Sequence, residues 1–184
     1  MFKHFAASAV LAAGIFATSL AAAADRITIE LKDGPVVIEL NDKAPEHAAR
    51  IKALAEAGEY DNVAFHRVID GFMAQTGDVE HGKMGGDMRM AGMGGSEMPD
   101  LSAEFSDRDF GRGTVGMARS QNPDSANSQF FIMFAPAPHL NGQYTVVGEV
   151  TSGMDVIDAI KRGTGRNGAV VGQPDRMVSV EVTD

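Results

Sequence analysis

Between Phe65 and Asp78 the chain sets one guanidinium, Arg67, and one carboxamide, Gln75, among the bulky apolar residues Phe65, Val68, Ile69, Phe72 and Met73. The chemistry open to such a mixture is hydrogen-bond donation beside an apolar surface, which reads as a binding face more than as plain core. Taken as two short strands around the Asp70-Gly71 turn, the stretch alternates sides with a period of two, so Val63, Phe65, Arg67 and Ile69 share one face. An arginine there is either a cation snorkelling at a sheet edge or a donor aimed at a ligand. A second stretch, Ser128 to Phe134, raises the same question. Alternation separates Phe130, Ile132 and Phe134 from Gln129, Phe131 and Met133, so both faces are apolar and one also carries an amide. An outward Phe131 beside Gln129 is either covered by a helix or left open as a pocket floor.

The elements that must position these residues are mostly strands. Arg26 to Lys32 and Pro35 to Leu40 alternate apolar and polar around Asp33-Gly34, a tight-hairpin signature. Ala44 to Gly58 has helix formers throughout, an early proline, apolar residues at Ala48, Ile51, Leu54 and Ala55, and a terminal glycine. Gly153 to Arg162 repeats that pattern with Met154, Ile157 and Ile160, closed by Gly163. Further strands are expected at Thr114 to Ala118, Ser128 to Ala135, Tyr144 to Val150 and Met177 to Thr183. With the pair around Asp70-Gly71 the count is eight, the number at which a closed sheet is just filled by its own side chains. The fold class is therefore mainly β: a closed, eight-stranded antiparallel β-barrel capped by two α-helices.

Composition narrows the partners. The chain has 184 residues with a formal net charge of -9, which argues against a sequence-independent grip on phosphate backbones and makes nucleic acid an unexpected partner. No cysteine is present, which removes disulfides, thiol nucleophiles and thiolate metal sites. Met1 to His4 carries Lys3, Phe5 to Leu20 is almost unbroken apolar or small, and Ala22-Ala23-Ala24 precedes Asp25. That order reads as a cleavable signal peptide over 1–24, ahead of one domain at 25–184. An uncleaved membrane anchor is the alternative reading. With cleavage no stable membrane anchor is expected, and the expected home is a periplasm.

The motifs Phe65-His66-Arg67-Val68-Ile69, Gly71-Phe72-Met73-Ala74-Gln75, Gly77-Asp78, Gly113-Thr114-Val115-Gly116-Met117-Ala118, Asn127-Ser128-Gln129-Phe130-Phe131-Ile132 and His139-Leu140-Asn141-Gly142 resemble, in order and spacing, the cyclophilin family of peptidyl-prolyl cis-trans isomerases. With a signal segment and a short form, the chain is similar to periplasmic bacterial cyclophilins. The resemblance implies the same eight-stranded barrel with two helices. It places Arg67 at the catalytic arginine and Gln75 at the glutamine that positions it and the substrate carbonyl. Phe72, Met73, Phe131 and Leu140 fall where the proline pocket is lined. Ala118 and Arg119 fall where main chain pairs with bound peptide, with Gln129 beside them. His139 stands where many members have a tryptophan and Tyr144 where they have a histidine. Neither is the arginine or the pocket core, so activity on peptides is expected to persist. The implied partners are proline-containing peptides and unfolded exported proteins, met by a monomer with no cofactor and no metal.

Two readings sit beside these. His66, opposite Arg67, reads as a hydrogen-bonded structural histidine, and His139 as a polar rim residue. Val79 to Pro99 is a glycine-rich loop holding Met84, Met88, Met90, Met93 and Met98. It suggests an adaptable apolar rim for varied clients. With His81 nearby, the thioethers of 84–98 also suit copper(I). A proline-peptide-binding chaperone module or a copper-binding protein is thus the alternative to the enzyme.

Overall fold

The computed structural model describes residues 25–183; the expected signal peptide and its cleavage point lie outside the described residues. Alternating side chains and the turn at Lys32-Asp33 produce the first hairpin, β1 (Arg26–Leu31) and β2 (Gly34–Leu40), with Leu31 opposite Gly34. Helix α1 (Pro45–Glu56) follows, then β3 (Arg67–Ile69), β4 (Met73–Thr76), β5 (Thr114–Met117), β6 (Phe130–Met133), β7 (Val146–Ser152), α2 (Met154–Asp158) and β8 (Ser179–Thr183). The eight strands form one antiparallel sheet in the order β3-β4-β6-β5-β7-β2-β1-β8. Strand number and both helices agree with expectation.

Closure is where expectation and structure part. Among the described residues no ladder joins β3 to β8, so the sheet is curled into a half-barrel and "closed" overstates it. Two stretches outside the strands cover the gap instead. Asn62, Val63 and Phe65 exchange backbone bonds with Met177 and Asp175 at 2.8–2.9 Å. The free edge of β3 is met by the segment after α2, where Gly163 N–H donates to the Val68 carbonyl at 2.8 Å and Val170 N–H to that of His66 at 3.0 Å. Edge groups are thereby satisfied without a ninth strand.

This seam also breaks the alternation expected before Arg67. Val63 and Phe65 are fully buried in the inner core with Val68, while Arg67 and Ile69 lie on the outer face. Residues 63–66 make only isolated bridges, to Lys83 and Arg176, so no ladder imposes period two on them. Val63 and Phe65 therefore do not share a face with Arg67.

The helix α1 begins without a side-chain cap of its own, since Ala44 occupies the N-cap. Glu104, far along the chain, supplies the acceptor: its carboxylate takes the N–H groups of Glu46 and His47 at 3.2 and 3.1 Å and the His47 ring nitrogen at 2.6 Å. At the other end Gly58, at φ +68°, allows Glu59 N–H to return to the Leu54 carbonyl. Helix α2 is shorter than its sequence pattern. The Lys161 N–H is taken by the Asp175 carboxylate at 2.7 Å instead of a helical carbonyl, and the helix ends at Asp158.

Candidate active site

The antiparallel register puts Arg67 directly opposite Gln75, and Gln75 opposite Phe131, which in turn faces Gly116. One row across β3, β4, β6 and β5 thus carries cation, amide, aromatic ring and bare backbone. The row below it runs Ile69, Met73, Met133. Gly116 is required by close approach: a Cβ there would sit 2.5 Å from Phe131 and 2.6 Å from Phe110. The two rings stack over it at 5.8 Å, and Tyr144 meets each edge-on at 5.8 and 6.4 Å.

Around these rings the outer face holds its own apolar cluster, separate from the inner core. Met73, Phe110, Phe131, Met133, Ala137, Leu140 and Val146 are buried in it, with Ile69, Phe72, Ala118 and Tyr144 partly buried at its margin. Neither α1 nor α2 contributes a residue, so Phe131 is covered by the stretches around 110 and 137–144 and not by a helix. His139 is exposed and stacks on Phe72 at 5.9 Å. Phe72, Met73, Phe131, Leu140, His139 and Tyr144 therefore lie together.

The polar members form a directed chain. Arg67 Nε donates to the Asn167 carbonyl at 2.9 Å and Nη1 to Gln75 Oε1 at 3.1 Å. Gln75 Nε2 donates to Gln129 Oε1 at 2.9 Å, and Gln129 Nε2 to the Gly94 carbonyl at 2.8 Å. Among the described residues Arg67 Nη2 has no partner, yet it is not one of the buried, unbonded atoms, so it reaches solvent. Burial presses the guanidinium below its ordinary pKa, with the nearby Tyr144 oxygen pulling the other way; so basic a group stays charged regardless.

Beside this chain lies a cleft of about 570 Å³ bounded by Gln75, Met93, Gly94, Ala118, Arg119 and Gln129. Ala118 N–H is used by the Gln129 carbonyl at 2.9 Å. The Ala118 carbonyl and the Arg119 N–H make no backbone bond of their own among the described residues. The Arg119 side chain turns away, its guanidinium 4.4 Å from the Tyr144 ring centre and bonded to the Gln143 carbonyl at 2.8 Å.

His66 differs from its sequence reading. Both ring nitrogens are out of reach of solvent and neither makes a well-formed hydrogen bond; Gly92 of the long loop packs on the imidazole, where a Cβ would stand 2.9 Å from Cδ2. Burial holds its pKa below the ordinary value, against the pull of Asp78. The methionine loop itself leaves Met90, Met93 and Met98 exposed. Among the described residues no cluster of three or more His, Asp or Glu could hold a metal.

Sequence reasoning misses Phe110, Gly116, Asn167 and any role for Asp78. A glycine inside a strand pattern is a signal of close approach, and Asn167-Gly168 is a turn dipeptide, with Asn167 at φ +57°. Phe110 lies in a stretch without periodicity.

A curled β-sheet carries on its outer face an apolar cluster bordered by the fixed hydrogen-bonding groups of Arg67, Gln75 and Gln129, the arrangement of a binding face. The family model for cyclophilin type peptidyl-prolyl cis-trans isomerase/CLD matches residues 26–182, and the chain belongs to that family and is a peptidyl-prolyl cis-trans isomerase. A relative from Brucella suis, named "Probable peptidyl-prolyl cis-trans isomerase", is 56% identical over 183 residues, covering 96% of this chain and 93% of that protein. "Peptidyl-prolyl cis-trans isomerase-like 1" of Emericella nidulans is 38% identical over 71% of this chain and 78% of its own length. Among solved structures, cyclophilin AquaCyp293 from Hirschia baltica aligns with a TM-score of 0.68 at 25% identity, over 84% of this chain and 72% of that one. A Cryptosporidium parvum cyclophilin type isomerase, described in the presence of the dipeptide Ala-Pro, aligns at 0.73 with 24% identity, over 86% and 99%.

Proposed function

We propose that this isomerase accelerates rotation about Xaa-Pro bonds in exported polypeptides, with Arg67 as the group that favours the twisted amide. The observation that carries the reading is Arg67 itself: held by Asn167 and Gln75 through two nitrogens, it keeps Nη2 free at the margin of an apolar cluster. The presence of Ala-Pro with a protein of the same fold supports a proline side chain as the cluster's guest.

A peptide bond resists rotation by about 18 to 20 kcal/mol because resonance gives it double-bond character. As it twists, the proline nitrogen regains its lone pair and becomes an acceptor, which a guanidinium meets with a charged hydrogen bond. Such a bond contributes roughly 1.5 to 3 kcal/mol, or about ten- to a hundredfold in rate. Raising a rate of about 0.01 per second to about 1000 per second takes roughly 7 kcal/mol. The remainder is assigned to seating the ring against Phe72, Met73, Phe131 and Leu140 and removing water from the planar, more charge-separated amide. Gln75 holds the arginine, and the free Ala118 carbonyl and Arg119 N–H pair with an extended peptide.

The test is cis-to-trans conversion of a short Xaa-Pro peptide by residues 25–184, alone and as Arg67→Ala. Acceleration by wild type that drops at least tenfold in the variant is expected; equal rates would sink the assignment to Arg67. Export to a periplasm, with cleavage after Ala24, is read from the Lys3, Phe5 to Leu20 and Ala22-Ala23-Ala24 pattern. It is checked by N-terminal sequencing of the fractionated protein.

A further inference from the structure

Every carboxamide in the Arg67–Gln75–Gln129 chain can be flipped end for end at little steric cost, so something must fix which end is which. The arginine, a pure donor, fixes one end. The other is fixed by the Gly94 carbonyl, a pure acceptor, which obliges Gln129 to present Nε2 to it and Oε1 to Gln75. Donor-only arginine and acceptor-only carbonyl demand the same polarity, and the loop carbonyl is what anchors the far end of the chain.

What places Gly94 is Asp78. Its side chain is fully buried, 0% exposed. Oδ1 accepts from the N–H groups of Glu80 and His81 at 3.1 and 2.8 Å, and Oδ2 from those of Gly92 and Gly94 at 2.7 and 3.0 Å. Both ends of the 79–95 loop are gathered on one carboxylate. No side-chain cation pairs with it among the described residues. The glycines allow the approach: a Cβ at Gly94 would stand 2.6 Å from Asp78 Oδ1 and 2.8 Å from Glu80 Cβ. The methionine-rich loop is thus built around a buried anion, and it walls the cleft through Met93 and Gly94.

We propose that Asp78 is a positioning residue for isomerisation: by holding Gly94 it orients Gln129 and Gln75, and through them the Arg67 guanidinium. The inference rests on the reading of Arg67 as the group that favours the twisted amide. Asp78 touches no substrate; it acts through the backbone.

Asp78→Asn separates this role from general stability, because a carboxamide accepts on one oxygen only and turns an NH2 toward one pair of N–H groups. At saturating peptide its rate is expected to fall roughly tenfold, the worth of one misdirected hydrogen bond, with little change in the peptide concentration giving half-maximal rate. Gln129→Ala breaks the same chain elsewhere, so the double variant should lose no more than the worse single one. In Asp78→Asn the side-chain amide NMR signals of Gln75 and Gln129 should shift. Losses that multiply in the double variant, or a full saturated rate beside a lowered Tm, would overturn the proposal. If Asp78→Asn fails to fold, Gly94→Ala, which presses a methyl against the intact carboxylate, enters the same cycle with Gln129→Ala. An active Arg67→Ala would instead remove the reading of Arg67, whereas an inactive Arg67→Ala with multiplying Asp78 and Gln129 losses removes only this inference.

Discussion

Strands β4 and β6 have two faces made by the same backbone and put to different uses. Inward, Ala74, Thr76, Phe130 and Ile132 are almost completely buried and meet side chains from β1, β2, β5, β7 and α1. Outward, Met73, Phe131 and Met133 join an apolar cluster that is completed by loops, and Gln75 stands among the hydrogen-bonding groups at its border. Burial alone does not tell the faces apart, since Phe131 is only 6% exposed and Phe130 1%. The difference lies in what surrounds them. The inner face closes on itself, while the outer one ends in a guanidinium and two amides whose hydrogen bonds point along the surface.

The largest effect should separate the two phenylalanines. Phe130 packs edge-on against Tyr60 at 5.6 Å, and Phe130→Ala is expected to cost about 3–5 kcal/mol in a denaturant titration. Phe131→Ala can relax against loop residues, so it should cost less stability and more activity; equal destabilisation would erase the distinction between the faces. Next comes Arg67→Ala, expected to slow isomerisation about ten- to a hundredfold while leaving the unfolding midpoint nearly unchanged, because its partners are a surface carbonyl and an amide. Glu104→Gln should cost about 1–2 kcal/mol through the lost cap on α1, with the peptide rate retained. A slower enzyme would mean that the inner and outer faces communicate through that helix.

The smallest effect is a pH slope. Burial lowers the pKa of His66, opposed by Asp78 and the Ala64 carbonyl and aided by Arg67. Below about pH 6.5 the unfolded chain takes up a proton that the folded one resists. Stability should therefore be fully present above that pH and fall as pH drops toward the lowered folded value. His66→Gln should lose this part of the slope, and an unchanged slope would place the proton elsewhere.

Much of the fold is legible in the residue pattern alone. Ala48, Ile51, Leu54 and Ala55 announce α1, Asp33-Gly34 announces the hairpin, and alternation along 128–134 sorts Phe130 from Phe131 correctly. The grouping of Phe72, Met73, Phe131 and Leu140 depends on family resemblance, because period two cannot say which loops will cover an outward ring. Periodicity misplaces Val63 and Phe65 because it assumes a ladder, and residues 63–66 make only isolated bridges. Asp78 is hidden for a different reason. A side chain that serves backbone N–H groups needs no patterned partner residues, and the glycines it gathers look in sequence like any mobile loop. The same holds for Asn167, which contributes a carbonyl that every residue possesses.

The stretch 163–170 has a double attachment. It covers the free edge of β3 through Gly163 and Val170, and its Asn167 carbonyl receives Arg67. The cover on the β3 edge and the aim of the guanidinium are therefore linked. If Arg67 engages the peptide as proposed, the bound peptide favours the covered edge over a frayed one, and by linkage it stabilises that edge by as much as the covered edge improves its binding. On that reading, occupancy and the cover on the edge each strengthen the other across a strand only three residues long.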